Sequence, residues 1–398
     1  MKRIGSVLHY GYELFAKHLF INILLILELI ISIVAINLTV AKIQGLYIDV
    51  DIIETASDDT LFIMQGSRHT ASGEERVIDL SDIKGSFSVG EEKMMSLRTP
   101  FETNGNITIY NKAILENVEI PLKKGSWFAS VIEENGKNYY PVIINDEESV
   151  RYGDRFEALT DTKEVLYCYV AGVLDNNGRY FKLSAASNIA TTQQLIDKSP
   201  DELKLFCNAE HFPVEKASYT HTYRGRALFF ESVTEDELAH NIQVLKNQAF
   251  TFTKNDIISN SMETIDTNVR YYVPLCVGLL IISVLGLFSF AFLSLYKNSN
   301  FYKTAILCGA RRSDCVLIGF VSFDLLFVLS TGIICIIYAI SYGLAGQNDL
   351  KFGGMNLLIT GAIYVILMLF GYLLPQAFFS KGRTHKIITQ GNAIQGDR

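Results

Sequence analysis

The chain has 398 residues, of which 49% are hydrophobic and 19% are charged, and its formal net charge is −7. Such an apolar composition excludes an ordinary soluble protein of this length and indicates a membrane protein. The acidic total leaves no electrostatic footprint of nucleic-acid binding.

Four stretches are long enough to cross the bilayer, because a hydrocarbon core of ~30 Å needs about 20 mainly apolar residues of α-helix. The predicted spans are 19–41, 271–296, 315–342 and 355–379. Lys and Arg residues flank the spans in three segments, 1–18, 297–314 and the tail 380–398. By the positive-inside rule these segments are cytoplasmic, and 343–354 is a short outer loop. The sequence thus predicts a multi-pass membrane protein with both termini in the cytoplasm.

The segment 42–270 carries 23 Lys and Arg against 36 Asp and Glu, a net charge of −13. This charge fits a large extracytoplasmic domain between the first and second spans. Short β-branched and aromatic runs predict strands, as in "ITIYN", "SWFASVIEE", "YYPVIIN", "EVLYCYVAGVL", "RYFKLS" and "ALFFESV". The predicted fold class is therefore an α-helical membrane protein with four transmembrane helices plus a large α+β extracytoplasmic domain inserted between helices 1 and 2.

Helices within this domain are predicted where capping residues precede an apolar pattern. "SPDELKLF" has Ser199 as a cap and Pro200 at the first position, and "TEDELAHNIQVLKNQ" has Thr234 and Glu237 at capping-box spacing. The segment 254–270 is also helical in pattern and leads into the second span. If continuous, it forms a stalk that joins the domain to the membrane.

The sequence contains no catalytic or metal-binding motif of the common kinds, and no cofactor is expected in this chain. Of the six cysteines, Cys168 and Cys207 lie in the predicted outer domain. They either pair or remain as buried thiols in a strand and a helix, because a domain of this size needs no disulfide for stability.

Two acidic residues lie inside the spans. Glu28 and Asp324 are each nine residues from the predicted cytoplasmic start of a span, which at ~1.5 Å per residue places both roughly 14 Å deep. Such acids usually face a partner inside the bundle. Ser32 and Ser322 are candidate hydrogen-bond partners. A proton relay and a structural polar contact between spans or protomers both remain open.

The cytoplasmic segment 297–314 combines an apolar face, a glycine break and basic residues, as expected for a helix that docks another protein. Either Ser313 or Asp314 can cap the helix that follows. The alternative is a basic loop that only fixes topology. The candidate docking residues are Phe301, Tyr302, Ile306, Leu307, Gly309, Ala310, Arg311 and Arg312.

The stretch "AILCGARRSD", Ala305 to Asp314, is similar to the "LGAS/T-x-x-D/Q-I" segment of FtsX-like permeases. The layout of one span, a large outer domain and three further spans resembles the MacB-type ABC transporter permease without a fused ATPase. Family members often carry an acid and an arginine where this sequence has Phe301 and Ile306.

The resemblance implies that 297–314 packs on a cytoplasmic ABC ATPase, which binds ATP and Mg, and that the amphipathic segment 1–18 lies on membrane lipid. It also implies a location in a bacterial plasma membrane, and a homodimer or a heterodimer with a second permease. ATP hydrolysis would rearrange the outer domains by mechanotransmission. These domains would handle a peptide, a lipid-linked molecule or an antimicrobial, with an extracytoplasmic adaptor as a further partner.

Three other functions fit parts of the pattern. An FtsX-type activator of cell-wall hydrolases shares the layout but usually has a smaller outer domain. A membrane sensor would normally carry a cytoplasmic output domain, whereas only 19 residues follow Phe379. A membrane-embedded enzyme would need a catalytic set at one depth, and Glu28 and Asp324 are the only candidates.

Overall fold

The computed structural model describes residues 2–64, 78–101, 105–145, 147, 150–175, 178–183, 190–198, 203–216, 220–222, 225–344 and 354–379. The chain divides into two compact units. The first, called the helical unit, comprises Met1–Ala41, Val269–Gly343 and Phe352–Arg398, and the second, called the α+β unit, comprises Lys42–Asn268 and Leu344–Lys351.

Long apolar helices build the helical unit. In chain order the helices with residues in this unit are α1 (Lys2–Lys17), α2 (Leu19–Glu54), α6 (Lys254–Lys297), α7 (Ser299–Leu307), α8 (Arg312–Leu344) and α9 (Gly354–Phe378). Four of them, α2, α6, α8 and α9, are long and apolar enough to cross a membrane. The prediction of four apolar helices is confirmed.

The amphipathic N-terminal helix packs against α8. A Cβ built on Gly11 would lie 2.5 Å from the side chain of Val321, so only glycine permits this close approach without a shift. Leu14 and Phe15 are buried in the core of the helical unit, whereas Leu8 is exposed. One face of α1 is therefore a packing face and the other carries exposed apolar side chains.

The described residues of the α+β unit form two larger sheets, one small sheet, three short α-helices and two single-turn 3-10 helices. The strands are β1 (Leu61–Met64), β2 (Ser86–Gly90), β3 (Glu92–Arg98), β4 (Asn106–Tyr110), β5 (Leu122–Gly125), β6 (Ile132–Glu134), β7 (Lys137–Ile144), β8 (Arg155–Thr160), β9 (Val165–Leu174), β10 (Arg179–Phe181), β11 (Ile196–Lys198), β12 (Leu205–Asn208), β13 (Thr220–Thr222), β14 (Arg226–Ser232) and β15 (Phe250–Thr253). The helices are α3 (Lys112–Asn117), α4 (Thr192–Leu195) and α5 (Glu235–Lys246).

The largest sheet closes on itself. Its strand order is β5-β9-β8-β3-β4-β12-β7-β6, and β7 also pairs with β9, so six strands form a ring. The pairs β4–β12 and β7–β9 are parallel, and the other pairs are antiparallel. Closure leaves the ring without free edges, and its interior is filled by apolar side chains such as Met95, Val142 and Cys168.

A second, four-stranded antiparallel sheet has the order β15-β1-β14-β2. One of its faces packs with Leu245 of α5 in a separate apolar cluster. The other face shares a core with the ends of α2 and α6, because Phe62 and Phe229 cluster with Ile53 and Ile257. The two helices are thus built into the core of the α+β unit.

Several sequence predictions need correction. "SPDELKLF" does not form the predicted helix in its described part, because Leu205–Asn208 is strand β12, and Ser199 and Pro200 lie outside the described residues. Both faces of β12 are buried: Phe206 faces the core near α2 and Cys207 faces the ring interior. A strand buried on both faces has a continuous apolar run, which periodicity does not distinguish from a buried helix.

Helix α2 continues past the predicted span 19–41 as far as Glu54, and the bounds of the span itself stay a prediction. Ile52 and Ile53 near its end are buried in the α+β core, so tertiary packing extends the helix beyond the apolar span. In "SWFASVIEE" only Ile132–Glu134 is a strand.

Two helix predictions are confirmed. Thr234 and Glu237 form a capping box at the start of α5. Helix α6 runs without interruption over 44 residues and contains Pro274.

Candidate functional site

The segment between α6 and α8 forms a short helix followed by a tight turn. α7 ends at Leu307, and Gly309 has a φ of +94°, in the left-handed region that glycine adopts without steric cost. The backbone N–H of Ala310 donates to the carbonyl oxygen of Ala305 at 2.9 Å and closes the helix end. The turn therefore requires glycine at position 309.

The next helix starts with a side-chain cap. The Asp314 carboxylate accepts a hydrogen bond from the backbone N–H of Arg311 at 3.0 Å, which satisfies a donor at the N-terminus of α8. Its negative charge is also favourable at this end of the helix dipole. The expectation that Ser313 or Asp314 is the N-cap residue is wrong, because α8 begins at Arg312 and both lie inside its first turn; Asp314 instead bonds back to the residue before the helix.

Four of the candidate docking residues are open to solvent. The Leu307 side chain is 79% exposed. Gly309, Arg311 and Arg312 follow it and are exposed as well. Together they form a small protruding surface with one apolar and two cationic side chains, which we call the α7 tip.

The other four candidate docking residues are partly or wholly inside. Tyr302 is 3% exposed, and its ring lies 4.9 Å from the ring of Phe379. Phe301, Ile306 and Ala310 are half-buried, and the first two pack against the core of the helical unit. These residues pack α7 against the helical unit, and the α7 tip is the part of this segment that stays exposed.

A groove of about 380 Å³ lies beside the α7 tip, between α1, α7 and α8. Val7 and Tyr10 of α1 form one wall, and Phe301, Thr304 and Cys308 form the wall opposite. The rings of Tyr10 and Phe301 lie 5.7 Å apart. The N-terminal helix therefore contributes to the same surface as α7, which the sequence alone did not indicate.

The two intramembrane acids have different neighbours. Asp324 of α8 accepts a hydrogen bond from the hydroxyl of Tyr364 in α9 at 3.4 Å. The Glu28 carboxylate of α2 lies against Gly286 of α6, where a Cβ would come within 3.4 Å of Oε2. Ser32, the partner suggested for these acids, instead bonds Ser283 at 2.7 Å. The described contacts do not test whether Glu28 or Asp324 transfers protons, so the proton relay stays a prediction.

A buried ion pair anchors the extension of α2 within the α+β unit. Nε of Arg179, in β10, donates to Oδ1 of Asp49 at 2.6 Å, and the two side chains are 0% and 2% exposed. A second guanidinium N–H of Arg179 donates to the carbonyl oxygen of Gly45 at 3.3 Å. A buried arginine is tolerated because these oxygens compensate for its loss of hydration.

The first residue of α6 is bound to the end of α2. Nζ of Lys254 donates to the carbonyl oxygens of Glu54 (2.9 Å) and Ala56 (2.6 Å) and to Oδ1 of Asp58 (2.8 Å). The hydrogen bond from Lys254 lowers the pKa of Asp58. One ammonium group thus joins the start of α6 to the last residue of α2 and to the turn that follows it.

The next turns of α6 bind a neighbouring segment. The Ser261 hydroxyl accepts a hydrogen bond from the backbone N–H of Thr192 at 2.8 Å, and the Asn260 amide donates to the carbonyl oxygen of Ala190 at 3.1 Å. We call these contacts, with those of Asp49 and Lys254, the helix junction.

Sequence reasoning missed the helix junction. The available signals were Asp49 beyond an apolar span and Arg179 within the apolar strand "RYF", since a charge in such a setting is usually paired. Nothing in one sequence indicates that these two residues pair with each other.

The two cysteines of the α+β unit lie in its core. Cys168 and Cys207 are free and buried, and Cys207 lies in a strand instead of the predicted helix. Burial raises the pKa of the Cys168 thiol to about 12. Among the described residues, no cluster of His, Cys, Asp or Glu could hold a metal ion.

No protein-family profile and no curated protein match the sequence. A solved structure that is similar is the extracellular domain of the noncanonic ABC-type transporter YknZ from Gram-positive bacteria. The alignment has 12% identity and a TM-score of 0.28, and it covers 49% of this chain and 97% of that chain. A TM-score this low does not establish a shared fold.

The described structure itself defines the general class of protein. The chain is a membrane protein with four apolar helices and a large α+β region that contains two main sheets.

Proposed function

We propose that the chain is the permease subunit of a MacB-type ABC transporter. It couples ATP hydrolysis by a separate cytoplasmic ATPase to conformational change of its α+β unit, for export or handling of a peptide, a lipid-linked molecule or an antimicrobial. The observation that carries the proposal is that α2 and α6 are continuous helices, each with an apolar span and an end bound within the α+β core.

The lengths of these helices favour mechanical transmission. α6 has 44 residues, which at ~1.5 Å per residue is roughly 66 Å, about twice the length that a bilayer core requires. A continuous hydrogen-bonded helix passes displacement of one end to the other. Pro274 removes one backbone hydrogen bond within α6 and is the place where the helix can bend.

The α7 tip supplies the proposed contact with the ATPase. An exposed leucine beside a groove is suited to bury apolar area on a partner, while Arg311 and Arg312 steer encounter with an acidic surface. ATP and Mg are bound by that partner in this proposal, and the chain itself is non-catalytic. Two copies of the chain, or the chain and a second permease, form the transporter core, with both termini in the cytoplasm.

Substitution of Leu307 by Asp tests the docking step. Because Leu307 is exposed, the substitution leaves the core of the helical unit unchanged but places a charge in the contact, where an unpaired buried charge is unfavourable. The full chain would be tagged and purified from its native cells in mild detergent, and the purified material would be assayed for ATP hydrolysis. We expect the variant to lose most of the associated ATPase.

Leu159→Asp is the matched control, because Leu159 is 44% exposed and lies in β8 of the α+β unit. This control should retain the ATPase at the level of the unaltered chain. Normal association and hydrolysis with Leu307→Asp would overturn the docking assignment. A similar loss in both variants would overturn it too, since the effect would not depend on the α7 tip.

A further inference from the structure

The groove beside the α7 tip has fixed walls. Phe15 is buried in the core of the helical unit, and Gly11 approaches Val321 of α8 closely, so the second half of α1 is held in place. The first half of α1 lines the groove, and the ring of Tyr10 lies 5.7 Å from the ring of Phe301 on the opposite wall. Because both walls belong to helices packed on the helical unit, the groove is already formed in the single chain and needs little rearrangement to receive a partner.

The lining of the groove is apolar where it is buried and polar where it is exposed. Ile318 is 4% exposed, and Val7 and Ala305 are half-buried. An apolar group that enters the groove would lose contact with water against these residues, while the polar rim can bond the backbone around it. The exposed residues of the lining are Ser6, Tyr10, Thr304 and Cys308.

The charge of the lining disfavours a lipid as the occupant. Asp314 lines the groove, whereas none of the described residues that line it is a lysine or an arginine. A phospholipid whose acyl chain entered the groove would hold its phosphate near the mouth, where a carboxylate repels it. Arg311 and Arg312, which attract anions, belong to the α7 tip.

The groove is continuous with the α7 tip. Cys308 follows Leu307 and precedes Gly309, and it is both exposed and part of the groove lining. Ala310, directly after the turn, lines the groove as well. A protein surface that covers the α7 tip therefore also reaches the mouth of the groove.

We propose that the groove receives one large apolar side chain, aliphatic or aromatic, from the cytoplasmic ATPase, so that α1 forms half of the docking surface. This inference rests on the proposed function and adds a second contact to it. Leu307 buries its side chain on the ATPase, and a side chain of the ATPase is buried in the permease between α1 and α7. Anchors of this kind tend to lie together at the centre of an interface, with charged residues such as Arg311 and Arg312 around them.

A side chain that fills the groove should exclude the ATPase. Ser6→Trp places an indole at the exposed rim of the groove. Leu8→Trp is the matched control, because Leu8 is 54% exposed on the same helix and is not a lining residue. The full-length chain would be tagged and purified from its native cells in mild detergent. We expect Ser6→Trp to retain at most about a tenth of the associated ATPase and Leu8→Trp to retain more than about half of it.

Thr304→Trp fills the groove from the opposite wall and should have the same effect, which covers the case in which Ser6→Trp does not fold. Thermal unfolding and size-exclusion profiles would establish folding. Retention of the ATPase by a folded groove variant, or a similar loss in Leu8→Trp, would overturn the groove assignment. If Leu307→Asp loses the ATPase while the groove variants keep it, only the groove assignment fails. An unaltered chain that carries no ATPase would overturn the proposed function.

The Cys308 thiol reports whether the groove is covered in the membrane, because it is exposed and lines the groove. Inverted membrane vesicles would be treated with a maleimide, and mass spectrometry would follow labelling of the peptide that contains Cys308. Labelling should be at least about tenfold faster in vesicles from a strain in which the co-purifying ATPase has been deleted. Slow labelling in both strains would show that lipid fills the groove, and fast labelling in both would show that the groove stays open. Either result would overturn the assignment of the groove to the ATPase.

Discussion

Replacing Asp49 with Asn should destabilise the α+β unit by about 3–5 kcal/mol, because the Arg179 guanidinium would stay buried without its carboxylate. The size of the effect follows from burial, since the two side chains are only 2% and 0% exposed and the contact is 2.6 Å. Trp127 is the single tryptophan of the chain. It packs in the α+β core and donates to the carbonyl oxygen of Ile120 at 3.0 Å, so its fluorescence reports unfolding of this unit.

The assay is a guanidinium titration of the full-length chain in detergent, followed by tryptophan fluorescence. Glu134→Gln is the matched control, because its partner Arg155 is 43% exposed and an exposed pair contributes less than about 1 kcal/mol. The double variant Asp49→Leu and Arg179→Met should recover most of the lost stability, since it leaves no buried charge. If Asp49→Asn costs no more than Glu134→Gln, the ion pair does not anchor α2.

Three further predictions concern other titratable groups and the turn. Burial raises the pKa of Glu92 from 4.5 to about 7, so the folded state keeps a proton that the unfolded state loses between these values. Its contribution to the unfolding free energy, on the order of 3 kcal/mol, should be present below about pH 4.5 and disappear as the pH rises to about 7. The unfolding free energy of Glu92→Gln should lack this pH-dependent contribution. If its unfolding free energy varied with pH as that of the unaltered chain does, the assignment to Glu92 would be refuted. Gly309→Val should lower associated ATPase activity severalfold without changing the fluorescence transition, because valine is disfavoured at a φ of +94°, whereas full activity would show that the turn is not needed. Glu28→Gln and Asp324→Asn should keep activity within about twofold, because an amide retains hydrogen bonding without ionising. A large loss in a stable amide variant would instead indicate a proton relay.

Hydropathy identified the spanning helices because each is apolar over its whole circumference. Hydropathy did not show how far α2 and α6 extend beyond the apolar spans, since polar residues continue a helix wherever tertiary packing stabilises them. α2 shows this at Asp49 and Ile53, which lie beyond the predicted span but are held by Arg179 and by the α+β core. A boundary set by contacts distant in sequence cannot be read from local composition.

Strand prediction succeeded where polar turns flank a β-branched run, as at Asn106–Tyr110 and Val165–Leu174. It failed at Leu205–Asn208, whose neighbours β4 and β7 are distant in sequence and bury both faces. The docking segment gives a similar lesson. Its apolar residues were predicted as one face, yet Tyr302 is buried and Leu307 is exposed, because the packing of α7 against Phe379 decides which side faces outward.

The contacts of α2 and α6 bear on how motion would pass through the molecule. In the helical unit the two helices are joined by a hydrogen bond between Ser32 and Ser283 at 2.7 Å, and in the α+β unit by the hydrogen bond from Lys254 to the carbonyl oxygen of Glu54. Because the helices are hydrogen-bonded to each other within both units, a displacement of one helix favours displacement of the other. Transmission in the proposed transporter would therefore use the pair as one element. Its weakest point is the backbone around Pro274, where α6 lacks a hydrogen bond.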